Sequence, residues 1–281
     1  MGETAIEWVG KRNPDGTRGK GYTWNPVFGC SKVSPGCENC YAESLDRRFS
    51  MSYRGRPFKP WTHPNAKENV VLKPRRLPEP LKYEPGSYCF VNSMSDLFHE
   101  LVPFEYTIRC FAVMASRPDV VFQVLTKRPD RMVEFTTQPD VALRVAGEAF
   151  REFGKQVDAR WPLPNVWLGT SVEDQRRAEE RMPHLLKVSA AIRFVSAEPL
   201  LGQVDLSPWL GKGRAAWVIA GAESGVGARP MDQAWVRALR DQCQNAQIAF
   251  FYKQDAIEGR KVHTPELDGK RWLELPEPAV A

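Results

Sequence analysis

Long apolar stretches are missing from this 281-residue chain. No run approaches the roughly 20 residues that a membrane-spanning helix needs. The opening residues, MGETAIEWVGKRNPDG, hold no apolar segment followed by a cleavage site, so no secretory signal is read there and a cytoplasmic location is expected. Histidine is scarce. His63, His99, His184 and His263 form no pair at metal-ligand spacing, and H-E-x-x-H is absent. No Ser-His-Asp order and no paired-carboxylate glycosidase pattern stands out. The glycine-rich stretch GAESGVG, residues 221–227, lacks the Lys-Ser/Thr of a phosphate loop and is not G-x-G-x-x-G. Cysteine is sparse too. Six in a chain this long are no disulfide scaffold, and in a reducing compartment a tight cluster points to metal or redox chemistry.

What is present is patterned. Hydrophobic residues make up 42% and charged residues 26%, which describes a globular protein able to bury a sizeable core. The net charge of +5 weakly favours anionic partners. From residue 88 a short apolar run repeatedly ends in polar residues: YCFVN (88–92), VVFQVL (120–125), VWLG (166–169), IRFV (192–195), AWVIAG (216–221) and IAFFY (248–252). Runs this short and apolar read as strands buried on both faces. An earlier strand is placed in GYTWNPV. Segments 103–116, 174–188 and 232–246 carry helical spacing. In the first, Phe104, Ile108, Phe111 and Ala115 share a side; in the last, Asp232 is a candidate N-cap and Trp235, Leu239 and Cys243 form a stripe.

Strands alternating with helices imply βα units and a parallel sheet. The expected fold is α/β, a full or partial (β/α) barrel over residues 1–281 as one domain, with a doubly wound open sheet as the alternative. Residues 51–87, with seven prolines, read as a loop-rich insertion. Residues 137–165 read as a helix plus linker able to form a lid. Residues 266–276 read as a hairpin around Asp268-Gly269. Cys89, Cys110 and Cys243 lie in apolar contexts and are expected in the core.

Cys30, Cys37 and Cys40 have the spacing C-x6-C-x2-C, with Pro35 and Gly36 permitting a tight turn between them. Two metals suit three thiols. A structural zinc site needs a fourth ligand, from His63, His99 or a distant cysteine. An iron–sulfur cluster usually takes four thiolates, and three on a four-iron cluster leave one iron open to a substrate or cofactor.

The segments TWNPVFGCSKVSPGCENCYAE, VNSMSDLFHE, FQVLTKRP, NVWLGTSVEDQ, RFVSAEPLL, GAESGVGARPM and FFYKQ resemble, in order, the motifs of a phage-associated family of radical-SAM-like proteins named for having no assigned function. The resemblance runs from Thr23 to Trp272. It implies that Cys30, Cys37 and Cys40 hold a [4Fe–4S] cluster whose open iron binds S-adenosylmethionine (SAM). It also implies that a reductant protein such as a flavodoxin or ferredoxin supplies the electron. The first gap is six residues where the superfamily usually has three. Asn39 stands where an aromatic residue commonly precedes the last cysteine, and Tyr41 is assigned the stacking role instead. NSMSD replaces the usual Gly-Gly-Glu.

Barrels place their sites at the C-terminal ends of strands. There this chain carries Ser93 and Asp96, Lys127 and Arg128, Ser171 and Glu173, Ser196 and Glu198, Glu223 and Ser224, and Lys253. The serines and acids are assigned to SAM, and Lys127, Glu223 and Lys253 to catalysis on an anionic substrate. Each has a plainer reading as a cap or a solvated charge. Basic residues between 46 and 77 alternate with Phe49, Tyr53, Phe58 and Trp61. Such a mixture suits a nucleic acid or nucleotide, or else arginine stems covering aromatic rings. The expected function is a radical SAM enzyme. The alternative is a non-catalytic nucleic-acid-binding protein with a structural zinc site.

Overall fold

A computed structural model describes residues 2–11, 17–225, 227–257 and 260–277, apart from the side chains of Tyr53, Arg54, Ile257 and Arg260. The strands are β1 (Gly2–Glu3), β2 (Gly21–Trp24), β3 (Val27–Phe28), β4 (Val71–Leu72), β5 (Tyr88–Val91), β6 (Val121–Thr126), β7 (Val166–Ser171), β8 (Ile192–Ala197), β9 (Ala215–Gly221), β10 (Ala249–Ile257), β11 (Arg260–His263), β12 (Glu266–Leu267) and β13 (Lys270–Arg271). The helices are α1 (Tyr41–Arg54), α2 (Ala66–Asn69), α3 (Phe104–Ala115), α4 (Pro129–Thr136), α5 (Val141–Phe153), α6 (Gln175–Leu185) and α7 (Gln233–Asn245).

One sheet runs β1-β2-β5-β6-β7-β8-β9-β10-β11, with β2 through β10 parallel and a short antiparallel strand at each edge. The parallel strands follow one another in chain order. A doubly wound sheet needs a reversal of that order, so the alternative is excluded. A full barrel is excluded as well. The sheet is open, and β1 and β11 are its edges.

Alternation along each strand separates two cores. Cys89, Val91, Phe122, Val124, Val195 and Val218 pack with the helices. Tyr88, Phe90, Trp167, Phe194, Trp217 and Phe251 point the other way, with Trp8 among them. That second face is concave. Trp8 lies 4.7 Å from Phe90 on β5 and 5.9 Å from Trp217 on β9, ring to ring. Four strand spacings separate β5 from β9, about 19 Å in a flat sheet. Across the gap between the sheet edges, Glu7 meets His263 of β11.

The helices follow their local signals. Asp232 accepts from Ala234 N as the cap of α7, and Asp174 accepts from Arg177 N at α6. Helix α4 begins at Pro129, directly after the polar end of β6. The reading of 137–165 as a lid is corrected. Val141 and Val145 of α5 lie in the helix-side core, Ala149 is buried too, and Arg109 of α3 holds Glu152 at 2.6 Å. Trp161 packs on Phe111 and Phe135 in the same layer. The apolar face of α5 is thus spent on α3, away from the strand ends. Residues β12 and β13 pair around Asp268 and Gly269, both at positive φ, as a two-residue hairpin turn requires. No helix among the described residues is long and apolar enough to cross a membrane.

Candidate functional site

The loop after β3 carries the three cysteines. Gly29 bridges in parallel to Ser95, and Ser95 Oγ donates to Val27 O at 2.7 Å, so the loop starts beside the end of β5. Cys37 ends a single helical turn opened by Pro35, and Cys40 precedes α1. All three cysteines border one cavity of about 140 Å³ at the C-terminal strand ends. Tyr41, Asn92, Ser93, Asp96, Lys127, Arg128 and Ser171 border it too. Among the described residues, no group of His, Cys, Asp and Glu converges on a point as a single-ion site would.

Buried charges hold this loop from three sides. Arg128 directs its guanidinium at Cys30 Sγ (3.5 Å), Asp96 (3.1 Å), Glu100 (3.0 Å) and the carbonyl and hydroxyl of Ser31 (3.2 and 3.0 Å). Asp96 also accepts from Thr126 Oγ1 and from the backbone N–H groups of Phe98 and Lys127. Its two oxygens are thereby committed to holding Arg128 and the β6 end. Glu173 pairs with Arg181 at 2.8 Å and accepts from Gly36 N at 3.3 Å. A Cβ on Gly36 would stand 3.0 Å from the Glu173 carboxyl carbon, so any larger residue here would press on that carboxylate. On the third side Glu223 takes two side-chain bonds from Arg229 and one from Asn39. Arg229 reaches on to Glu38 and Pro35 O.

Burial pushes the Cys30 thiol up to about 12, although Arg128 pulls the other way. It raises Cys40 likewise. Thiols in such a site ionise only against a bound cation. Burial alone would raise Glu173 and Glu223. Arg181 together with Lys127, Ser34 and the Gly36 N–H for Glu173, and Arg229 together with Asn39 for Glu223, outweigh it and keep both below the ordinary carboxylate range. Burial and Arg128 lower His99 to about 4, and the neutral ring is used fully: Nε2 bonds Ser31 Oγ at 2.9 Å and Nδ1 accepts from Leu101 N.

A family model described as protein of unknown function, DUF5131, matches residues 3–276. The chain belongs to that family. No curated protein and no solved structure matches it.

Of the residues expected in the site of this DUF5131 member, the cavity gathers Cys30, Cys37, Cys40, Tyr41, Ser93, Asp96, Lys127 and Ser171. Lys127 Nζ stands 3.1 Å from Ser171 Oγ, and Tyr41 donates to Ser93 O at 2.6 Å. Ser93 Oγ is tied to the Asn25 amide. Glu173 and Glu223 lie outside the lining and face the loop they clamp. Ser196, Glu198 and Lys253 form a separate group at the β8–β10 ends: Ser196 donates to Glu198, which pairs with Lys253 at 2.9 Å. Ser224 is half-buried beside Glu223. In GAESGVG, Gly227 O accepts from Asn39, so this stretch serves the cysteine loop; Val226 lies outside the described residues.

Two contributors escaped the sequence assignments. Arg128 was read only with Lys127 as a cationic pair, and its contact with Cys30 depends on the loop's fold. Trp61, read among the aromatics of the basic stretch as a stacking ring or one covered by an arginine stem, is 3% exposed. It packs with Phe28, Ala42 and Met94 against Cys30 and Cys40, its N–H on Asp46 and its backbone on Glu43. Arg47 covers Phe58 and Arg48 covers Phe49, the plainer of the two arrangements expected for this insertion. The side chain of Tyr53 lies outside those described.

Proposed function

We propose that the chain is a radical SAM enzyme on a partial barrel, with Cys30, Cys37 and Cys40 holding a [4Fe–4S] cluster. The supporting observation is that three cysteines of one loop border one cavity whose single lining carboxylate, Asp96, is already engaged, as is the nearby His99. Asp96 has four donors on its oxygens, and both ring nitrogens of His99 are bonded. Soft thiolates select iron–sulfur clusters. A zinc site of the same loop would need a fourth donor that neither Asp96 nor His99 offers.

A reduced cluster held there would supply the one electron that splits the C5′–S bond of SAM into methionine and a 5′-deoxyadenosyl radical, the species able to abstract hydrogen from a substrate. The residues of the chain hold and shield. Phe28, Ala42, Trp61 and Met94 exclude water from the sulfurs. Arg128 donates towards Cys30 Sγ, and donors to sulfur set the potential of such clusters. Lys127 offers a cation to a ligand carboxylate within the cavity. Lys253, now paired with Glu198, is the cation assigned to an anionic substrate, read here as a nucleotide or nucleic acid. A flavodoxin or ferredoxin is the assigned electron donor.

Anaerobic reconstitution with iron and sulfide tests the reading. The expected result is four irons per chain and 5′-deoxyadenosine after reduction with SAM present, both lost in Cys30→Ser, Cys37→Ser and Cys40→Ser. One zinc per chain with no iron uptake overturns it.

A further inference from the structure

Asn92 follows β5 and forms part of the cavity floor with Phe90 and Leu125. It is 3% exposed and has φ +62°, a left-handed conformation that few residues other than glycine, Asn and Asp adopt readily. Its backbone is satisfied: N donates to Trp24 O at 2.7 Å, and O accepts from Ser95 N at 3.3 Å. Its side chain is not. Neither the carboxamide oxygen nor the nitrogen has a hydrogen-bond partner among the described residues. A buried amide with both ends unmatched is costly, and native proteins rarely keep one without a purpose.

The layer beneath repeats the pattern. Gln123 of β6, in register with Phe90 on one side and Trp167 on the other, is fully buried with both amide atoms unpartnered. The indole N–H groups of Trp167 and Trp8 are unpartnered too. Beneath the cavity, neutral donors and acceptors thus lie unmatched among the packed aromatic rings of the concave core. The charged groups bordering the cavity, Lys127, Arg128 and Asp96, belong to the strand ends above Asn92 and Leu125. A charged ligand group driven down to the floor would lie unpaired, at high cost.

We propose that Asn92 recognises a nucleobase on the floor of this cavity. A carboxamide presents one donor and one acceptor side by side. Its complement is a planar ring edge with an adjacent acceptor and donor, as in the pairing of Asn with adenine N7 and N6. Phe90 and Leu125 supply apolar surface for the ring. The inference deepens the radical SAM reading and rests on the same cavity; the base belongs either to the adenine of SAM or to a nucleotide substrate.

The test uses anaerobically reconstituted protein, with iron measured on every sample. Affinities for SAM and for each of the four deoxynucleosides are compared between wild type and Asn92→Gly. Glycine adopts φ +62° without strain, so the variant keeps its fold and its melting temperature. The expected result is a loss of about tenfold or more in affinity for at least one probe. Loss for SAM assigns the base to the cofactor; loss for a deoxynucleoside with SAM unchanged assigns it to the substrate. Asn92→Asp, which keeps the shape and replaces the donor with a carboxylate, gives the same loss. Unchanged affinities in both variants, or a wild type that binds none of the five probes, overturn the proposal. Iron content decides the other reading separately, since base recognition lost with Asn92 in iron-free protein would sink the radical chemistry and keep the base site.

Discussion

At the scale of single residues the site is a set of buried charges that hold one another. Arg128 is 7% exposed and answers two carboxylates, a hydroxyl, a carbonyl and a sulfur. Lysine would keep the charge and lose the planar fork. Arg128→Lys is therefore expected to take up iron as the wild type does, with a more negative midpoint potential in an EPR-monitored redox titration. An identical potential in a fully loaded variant would remove Arg128 as the group that tunes the cluster. Glu173 makes a second prediction. Its folded pKa lies below the ordinary 4.5, so its contribution to stability is complete above that value and disappears as the pH falls through the folded pKa. His99, lowered from 6.5 to about 4, acts in the same direction at less acidic pH. The melting temperature should fall with acid, and Glu173→Gln should flatten the limb below about pH 4.5. Thermal unfolding at a series of pH values checks this, and an equally steep limb in the variant refutes it.

At the scale of elements the cysteine loop is a bridge laid across strand ends. Ser95 anchors it at β5, Arg128 at β6, Glu173 beyond β7, and Glu223 with Arg229 beyond β9. Strand β7 shows how tightly the inner face is filled. A Cβ on Gly169 would stand 2.6 Å from ring atoms of Phe194, which are locked in the concave core. Gly169→Ala is expected to cost about 1–3 kcal/mol through overpacking, read as a lower urea midpoint with an unchanged slope. A neutral result would mean that the Phe194 ring has room to move. The Glu223–Arg229 clamp predicts that Arg229→Ala lowers iron retention during desalting and, because buried Glu223 loses its partner, also lowers the midpoint of urea unfolding. Full retention would show the clamp to be dispensable.

At the scale of the molecule, one sheet curls around an aromatic plug and leaves its polar strand ends facing a cavity. Trp8 comes from a segment before the first parallel strand, yet it touches rings from β5, β8 and β9. It closes the concave side where the barrel itself is open. Trp8→Ala should cost about 3–5 kcal/mol, the range for removing a large buried aromatic side chain, and should lower the urea midpoint accordingly. A small loss would mean that the concave core does not depend on this plug.

The amino-acid pattern by itself determined the seven parallel strands, four of the helices between them, the polar ends of each strand, the Asp268-Gly269 turn and the grouping of three cysteines. All of these are local: apolar runs, cap residues and turn residues act within a few positions of themselves. Tertiary structure alone decided that the sheet stays open, that α5 lies against α3, that Trp61 shields sulfur, and that Glu173 and Glu223 grip the loop. It alone set Arg128 beside Cys30 and left Asn92 unmatched. Those outcomes join residues 21 to 194 positions apart in the chain, and a strand-end carboxylate reads the same in sequence whether it faces a ligand or a neighbouring arginine. Only the curvature of the sheet brings those partners within hydrogen-bonding distance.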